Sequence, residues 1–254
     1  WSSDVCSSDL LRGSAGAYNT AVGAKAQCCG GGACNTSVGY GALSQNISGA
    51  TNVAIGAKSL FNNTSGNHNV TIGYKSGFCN LTGKYNVAIG HKTLINHTYG
   101  SDNIAIGQCS LYSSTSSCLN IAIGRKALFT NTVGFLNIAI GDFSFNKNTI
   151  GSCNIAFGTQ SLYCNTQGFR NLAIGQQALF RNVSGNNNIA IGQSSLNFNT
   201  SGNYNIAVGS FALCCNTTGK NNIAIGSCGG SQIITGSNNV ILGSNSGAWV
   251  ANTS

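Results

Sequence analysis

Covalent or acid–base chemistry in this chain would have to come from twelve cysteines, three histidines and four acidic residues. Cys6 and two of the acids fall within Trp1 to Leu10, a stretch whose back-translation resembles a short-read sequencing adapter and which is set aside as an artefact. The acids that remain, Asp102 and Asp142, stand 40 positions apart, so the sequence offers no carboxylate pair for general acid–base work. His68, His91 and His97 have no CxxC companion, which removes the usual zinc-ligand spacing. Neither a Gly-x-Ser-x-Gly elbow nor a phosphate loop is present. The expectation is a protein without catalysis, metal or cofactor.

Eleven cysteines remain after Cys6, a density that without metal partners favours disulfides and an oxidising compartment. An odd number leaves one thiol free or bonded to another chain. Cys109 with Cys118, and Cys153 with Cys164, are the expected pairs, because each flanks one turn. Cys214 and Cys215 are expected to point to opposite faces of a strand, so that one reaches a second subunit. Eleven Asn-x-Ser/Thr sequons also occur, and Asn46, Asn63, Asn80, Asn182, Asn199 and Asn216 hold one shared place in a repeat. These six are expected at an exposed corner and are the candidate N-glycosylation sites, with covalent N-linked glycans the only non-protein groups foreseen. Further sequons start at Asn35, Asn62, Asn69, Asn96 and Asn252.

That shared place belongs to a strict 17-residue period marked by a glycine that runs from Gly39 to Gly243. Thirteen such glycines enclose twelve units without insertion, the mark of a solenoid in which each unit is one coil. Offsets are counted from the opening glycine, with Gly175 to Gly192 as the specimen. Offsets 14 to 16, here Ile189-Ala190-Ile191, alternate large, small, large and predict a strand. Offsets 3 and 4, usually Ala or Ser and then Leu, predict a second short strand with Leu inward. The expected core is the Val/Ile columns of offsets 14 and 16 with the Leu column. The Ala column at offset 15 is either a flat surface for another subunit or the product of crowding inside a narrow coil. The offset-0 and offset-10 glycines are expected to form corners of positive φ. Asn at offset 13 recurs in every unit, as Asn52, Asn69, Asn86, Asn103, Asn120, Asn137, Asn154, Asn171, Asn188, Asn205, Asn222 and Asn239, and stacking in register predicts an amide ladder. Asn69, as a member of that ladder, should carry no sugar.

The segments are therefore an artefact (1–10), an irregular Cys/Gly-rich first coil (11–38), twelve repeats (39–243) and a truncated final coil (244–254). With no methionine and a cut last coil, the sequence reads as an internal fragment of a longer protein from an environmental sample. Beyond the first ten residues, 12 Lys and Arg stand against Asp102 and Asp142, a net charge of +10. These basic side chains (Lys58, Lys84, Arg125, Arg170 and Lys220 among them) occupy different offsets, so nucleic acid is not an expected partner. No apolar run is long enough to span a membrane.

The phrase Asn188-Ile189-Ala190-Ile191-Gly192, followed by small residues and Leu, resembles the head repeats of trimeric autotransporter adhesins and of related phage and giant-virus fibre proteins. The resemblance covers about residues 17–250 and implies an all-β, left-handed parallel β-roll that packs in threes. It departs from that pattern in its 17-residue unit, its cysteines and its Asn-Thr-x-Gly turns. The expected function is a glycosylated, disulfide-braced structural subunit of an extracellular fibre or filament. The alternative is the shaft of a trimeric adhesin or viral receptor-binding fibre. The expected partner is a further copy of itself, end to end or as a homotrimer, with cell-surface glycans or receptors as candidate ligands. The expected location is extracellular or on a cell or virion surface.

Overall fold

A computed structural model describes residues 16–29 and 31–247. The adapter-like segment, the Asn252 sequon and the end of the truncated coil lie outside these residues. The fold is an all-β parallel β-solenoid of about 13 turns with about 17 residues per turn. Two compact units, Trp1–Arg125 and Lys126–Ser254, divide the chain.

In the first unit the strands are β1 (Thr20–Val22), β2 (Thr36–Val38), β3 (Val53–Ile55), β4 (Val70–Ile72), β5 (Val87–Ile89), β6 (Ile104–Ile106) and β7 (Ile121–Ile123). Each pairs in parallel with the next, in a register that advances by one coil. The second unit repeats the pattern with β8 (Ile138–Ile140), β9 (Ile155–Phe157), β10 (Leu172–Ile174), β11 (Ile189–Ile191), β12 (Ile206–Val208), β13 (Ile223–Ile225) and β14 (Val240–Leu242). Every strand is three residues long, because the glycine that follows turns the chain at once.

That glycine is demanded twice over. Gly192 has φ +129°, and a Cβ built there would lie 2.6 Å from both the carbonyl carbon and the oxygen of Gly209 in the next coil. The offset-10 glycine has a different reason. No positive φ occurs at Gly185; a Cβ there would lie 2.5 Å from Gly202 O, 2.8 Å from Asn199 Nδ2 and against Asn182 Oδ1. The expected positive-φ corner at offset 10 is thus corrected to a site of close approach to side chains.

The strands present the opposite face from the one expected. Ala54, Ala88, Ala105, Ala122, Ala139 and Ala156 are fully buried, while the flanking Val, Ile and Phe side chains are half-buried or exposed. The interior is narrow: Ala54 clusters with the offset-4 residues Leu43 and Leu60, and the side chains of Asn69, Asn80 and Asn86 line the same space as Ala88 and Leu94. Two departures in the repeat show how tightly these positions share volume. Where offset 15 is Thr71, the Leu position six residues on is Gly77, whose added Cβ would lie 2.9 Å from Thr71 Cγ2. Where it is Ile241, Gly230 and Gly247 both replace Leu, and a Cβ on Gly230 would lie 2.7 Å from Ile241 Cδ1. A larger residue on one wall is matched by the loss of Leu on the other. Each buried Leu contributes about 1.5–3 kcal/mol.

The second strand does not form. Offsets 1 to 6 are turn, with left-handed backbone at offsets 2 and 4, as at Gln177 (φ 58°) and Leu179 (φ 51°). Each such residue is disfavoured by about 1–2 kcal/mol in isolation. The alternation lets N–H groups point up and down the stack in turn. Gln177 donates to Thr159 O in the coil before (3.0 Å), and Leu179 donates to Ser195 O in the coil after (3.0 Å). Side-chain burial at offset 4 is as expected, and Leu179 is fully buried.

Candidate functional site

The offset-13 asparagines form columns within each unit. Asn188 is typical: its N–H and Nδ2 both donate to Asn171 Oδ1 (3.0 and 3.1 Å), and Nδ2 also donates to Gly202 O (2.8 Å). The same pattern joins Asn52, Asn69, Asn86, Asn103 and Asn120 in the first unit, and Asn154, Asn171, Asn205 and Asn222 in the second. Asn137 accepts from Asn154 and donates to Gly151 O.

Offset 7 is a second amide column, and it lies inside. Asn46, Asn63, Asn80, Asn182, Asn199 and Asn216 are all buried, against the expected exposed corner. The Nδ2 atom to which a glycan would be joined is committed to bonds within the coil. Asn182 donates to Asn165 Oδ1 (2.6 Å) and Gly185 O (3.0 Å), and Asn199 to Asn182 Oδ1 (2.8 Å) and Gly202 O (3.1 Å). Asn63, Asn80 and Asn216 do the same, and Asn46 donates to Gly31 O and Gly49 O. The sequon arises because the turn after each ladder Asn favours Ser and Thr, not because the Asn faces solvent. A glycan on any of these six atoms would displace those hydrogen bonds. Asn35 and Asn69 are buried too, whereas Asn62 is half-buried and Asn96 is exposed at offset 6.

The described cysteines are free thiols, so the expected Cys109–Cys118 and Cys153–Cys164 pairs are not made. Cys118 instead accepts the Ser101 N–H through Sγ (3.3 Å). Cys214 and Cys215 do not point apart: their sulfurs are 3.6 Å from each other, since offsets 5 and 6 belong to a turn and not a strand. Burial, then the hydrogen bond and charge of Cys215, push the Cys214 thiol up to about 12, which makes it a poor nucleophile. No group of three or more His, Cys, Asp or Glu able to hold a metal occurs among the described residues.

His97 replaces Asn in the offset-7 column and is buried. Its Nε2 meets Gly100 O at 2.7 Å, so that nitrogen donates, and Nδ1 accepts from Ser114 Oγ at 2.9 Å. Ser114 in turn meets Ser117 at 2.6 Å, and Ser117 stands where the repeat otherwise has glycine. Burial drives the imidazole pKa down to about 4. This is a structural histidine held neutral.

Outside the coil two arrangements stand out. In the first unit Lys58, Lys75 and Lys92 share offset 2 on successive coils, about 4.8 Å apart along the stack. Reading the basic residues as scattered missed this column, although the common offset marks it. Lys75 Nζ lies over aromatic rings, 5.4 Å from that of Tyr74 and 5.5 Å from that of Phe78. The second arrangement is the pair of aliphatic columns at offsets 14 and 16. From β3 to β14 these positions are Val, Ile, Leu or Phe without exception, although they face outward, and Phe157 is 52% exposed. Other outward offsets vary freely; offset 12 runs through Tyr85, Asp102, Leu136 and Arg170. Thr20 and Thr36 in β1 and β2 show that the strand itself tolerates a hydroxyl at offset 14.

Comparison with protein-family models, with curated proteins and with solved structures returned no match. Function must therefore be argued from this geometry.

Proposed function

We propose that the chain is a structural subunit of an extracellular fibre or filament, and that its aliphatic columns are the face along which one copy packs against another. The observation that carries this reading is the persistence of Val, Ile, Leu and Phe at outward offsets 14 and 16 while neighbouring outward offsets vary. Contiguous exposed apolar surface marks an interaction site. A second copy fits it best, because only another such chain repeats aliphatic side chains at the same inter-coil step and matches register along the face. No charged residue stands at offsets 14 and 16 from β3 to β14, so the net positive charge of each copy lies off the proposed contact face. The resemblance of the Asn-x-Ala-Ile-Gly phrase to adhesin and fibre heads that pack in threes supports a homotrimer, and it keeps a receptor-binding fibre shaft on a cell or virion surface as the second reading.

Electron microscopy of the purified chain tests the proposal. Laterally associated rolls or bundles are the expected image, and single dispersed particles at the highest soluble concentration would overturn it.

A further inference from the structure

A groove of about 500 Å³ runs along the offset-11 and offset-12 corner of the second unit. Phe135, Phe169 and Tyr204 border it, 48%, 43% and 61% exposed. The three rings lie on every second coil, about 9.6 Å apart along the stack. Local hydrogen bonding accounts for that spacing. The offset-11 N–H takes a side-chain oxygen from the next coil: Phe135 donates to Ser152 Oγ (3.1 Å) and Phe169 to Asn186 Oδ1 (2.7 Å). A small polar residue must therefore follow each Phe in the column, and ring cannot stack on ring. Offset 5 has no such requirement, and there Tyr163 and Phe180 stack at 5.2 Å.

The groove thus offers spaced, open aromatic faces. Between them lie the Arg170 guanidinium and the Asn187 side-chain amide, neither with a hydrogen-bond partner among the described residues, and no carboxylate lines the groove. We propose that this groove binds a linear, carboxylate-bearing polysaccharide. Flat ring faces take the C–H faces of pyranose residues. Two coils match the length of two diequatorially linked pyranoses, so every second sugar would meet a ring. Asn187 would meet hydroxyls in the gap, and Arg170 would hold a carboxylate through its two-pronged donor edge. A single-stranded nucleic acid fits less well, because one guanidinium faces what would be a phosphate on every nucleotide. The corner is not the aliphatic strand face, so this proposal and the packing proposal stand or fall separately.

Calorimetric titration of the full chain with a β-1,4-linked mannuronate hexamer, a neutral β-1,4-linked glucose hexamer and an oligothymidylate tests it. The mannuronate hexamer is expected to bind saturably and in preference to the other two. Phe169→Ala should weaken it by about tenfold. Arg170→Gln should lower it to the level of the glucose hexamer, and Phe61→Ala in the first unit should leave it unchanged. Matching melting curves establish that the variants are folded. No mannuronate binding, equal affinity of the wild type for both hexamers, preference for the oligothymidylate, or full affinity in folded Phe169→Ala would each overturn the proposal.

Discussion

At the residue scale, His97 links stability to pH. Its pKa is about 4 in the fold, against 6.5 for the free side chain. Below pH 6.5 the unfolded chain takes up a proton that the native state refuses until about pH 4. The fold is therefore expected to keep full stability from this group above pH 6.5 and to lose about 3 kcal/mol as pH falls to 4. Denaturant unfolding across that range measures it. His97→Asn should flatten the profile, and it would also supply a donor to Asn80 Oδ1, a buried acceptor without a partner. In the neighbouring column, Asn188→Ala would take the acceptor from the N–H and Nδ2 of Asn205 and the side-chain donor from Asn171 Oδ1, which keeps only the backbone N–H of residue 188. A loss of about 3 kcal/mol is expected in the same assay. Glycosylation is decided by burial as well. Peptide mass spectrometry of the protein secreted from a eukaryotic host should find Asn63, Asn182 and Asn199 unmodified, whereas Asn96 is exposed among the described sequons and free to carry a sugar.

At the element scale, the coil works because one wall gives up volume wherever the other gains it. Ala173→Thr would enlarge the strand wall opposite Leu179, and overpacking there should cost about 1–3 kcal/mol. Leu179→Gly six residues on repeats the Thr71 and Gly77 arrangement, with Ser161 placed as Ser59 is to bond the new hydroxyl. A double-mutant cycle should show the pair coupled favourably by at least about 1 kcal/mol. Simple additivity would contradict the shared interior. This coupling was legible in the sequence, since Thr71 and Ile241 depart from Ala near the glycines that depart from Leu. Taken singly, the departures look like irregularities. The period, the strand at offsets 14 to 16 and the offset-13 column were legible because each recurs with the same residue types, whereas the expected second strand at offsets 3 and 4 is a turn. Which side of the strand faces inward was not, because alternation separates two faces without ranking them. Burying the larger side chains is the ordinary choice, but the left-handed turn at offsets 2 and 4 brings Leu too close for an opposing Ile. The offset-7 column was misplaced for a related reason: Asn-x-Thr followed by Gly reads as an exposed turn, whereas here the glycine makes room for the amide.

At the scale of the whole molecule, almost all the chemistry that the sequence suggested turns inward or lies idle. The amides hold register, the imidazole is neutral, and the thiols are unpaired. What remains outside is shape and apolarity, arranged with the period of the coil. The proposed packing of copies rests on outward Val and Ile together with inward Ala. Sedimentation velocity and thermal melting of the triple variant Ile174→Thr, Ile191→Thr, Ile225→Thr, beside the wild type, test both parts together. The expected result is an associating wild type and a monomeric variant whose melting temperature is nearly unchanged. A wild type that stays monomeric, or a variant that unfolds or still associates as the wild type does, would contradict the account.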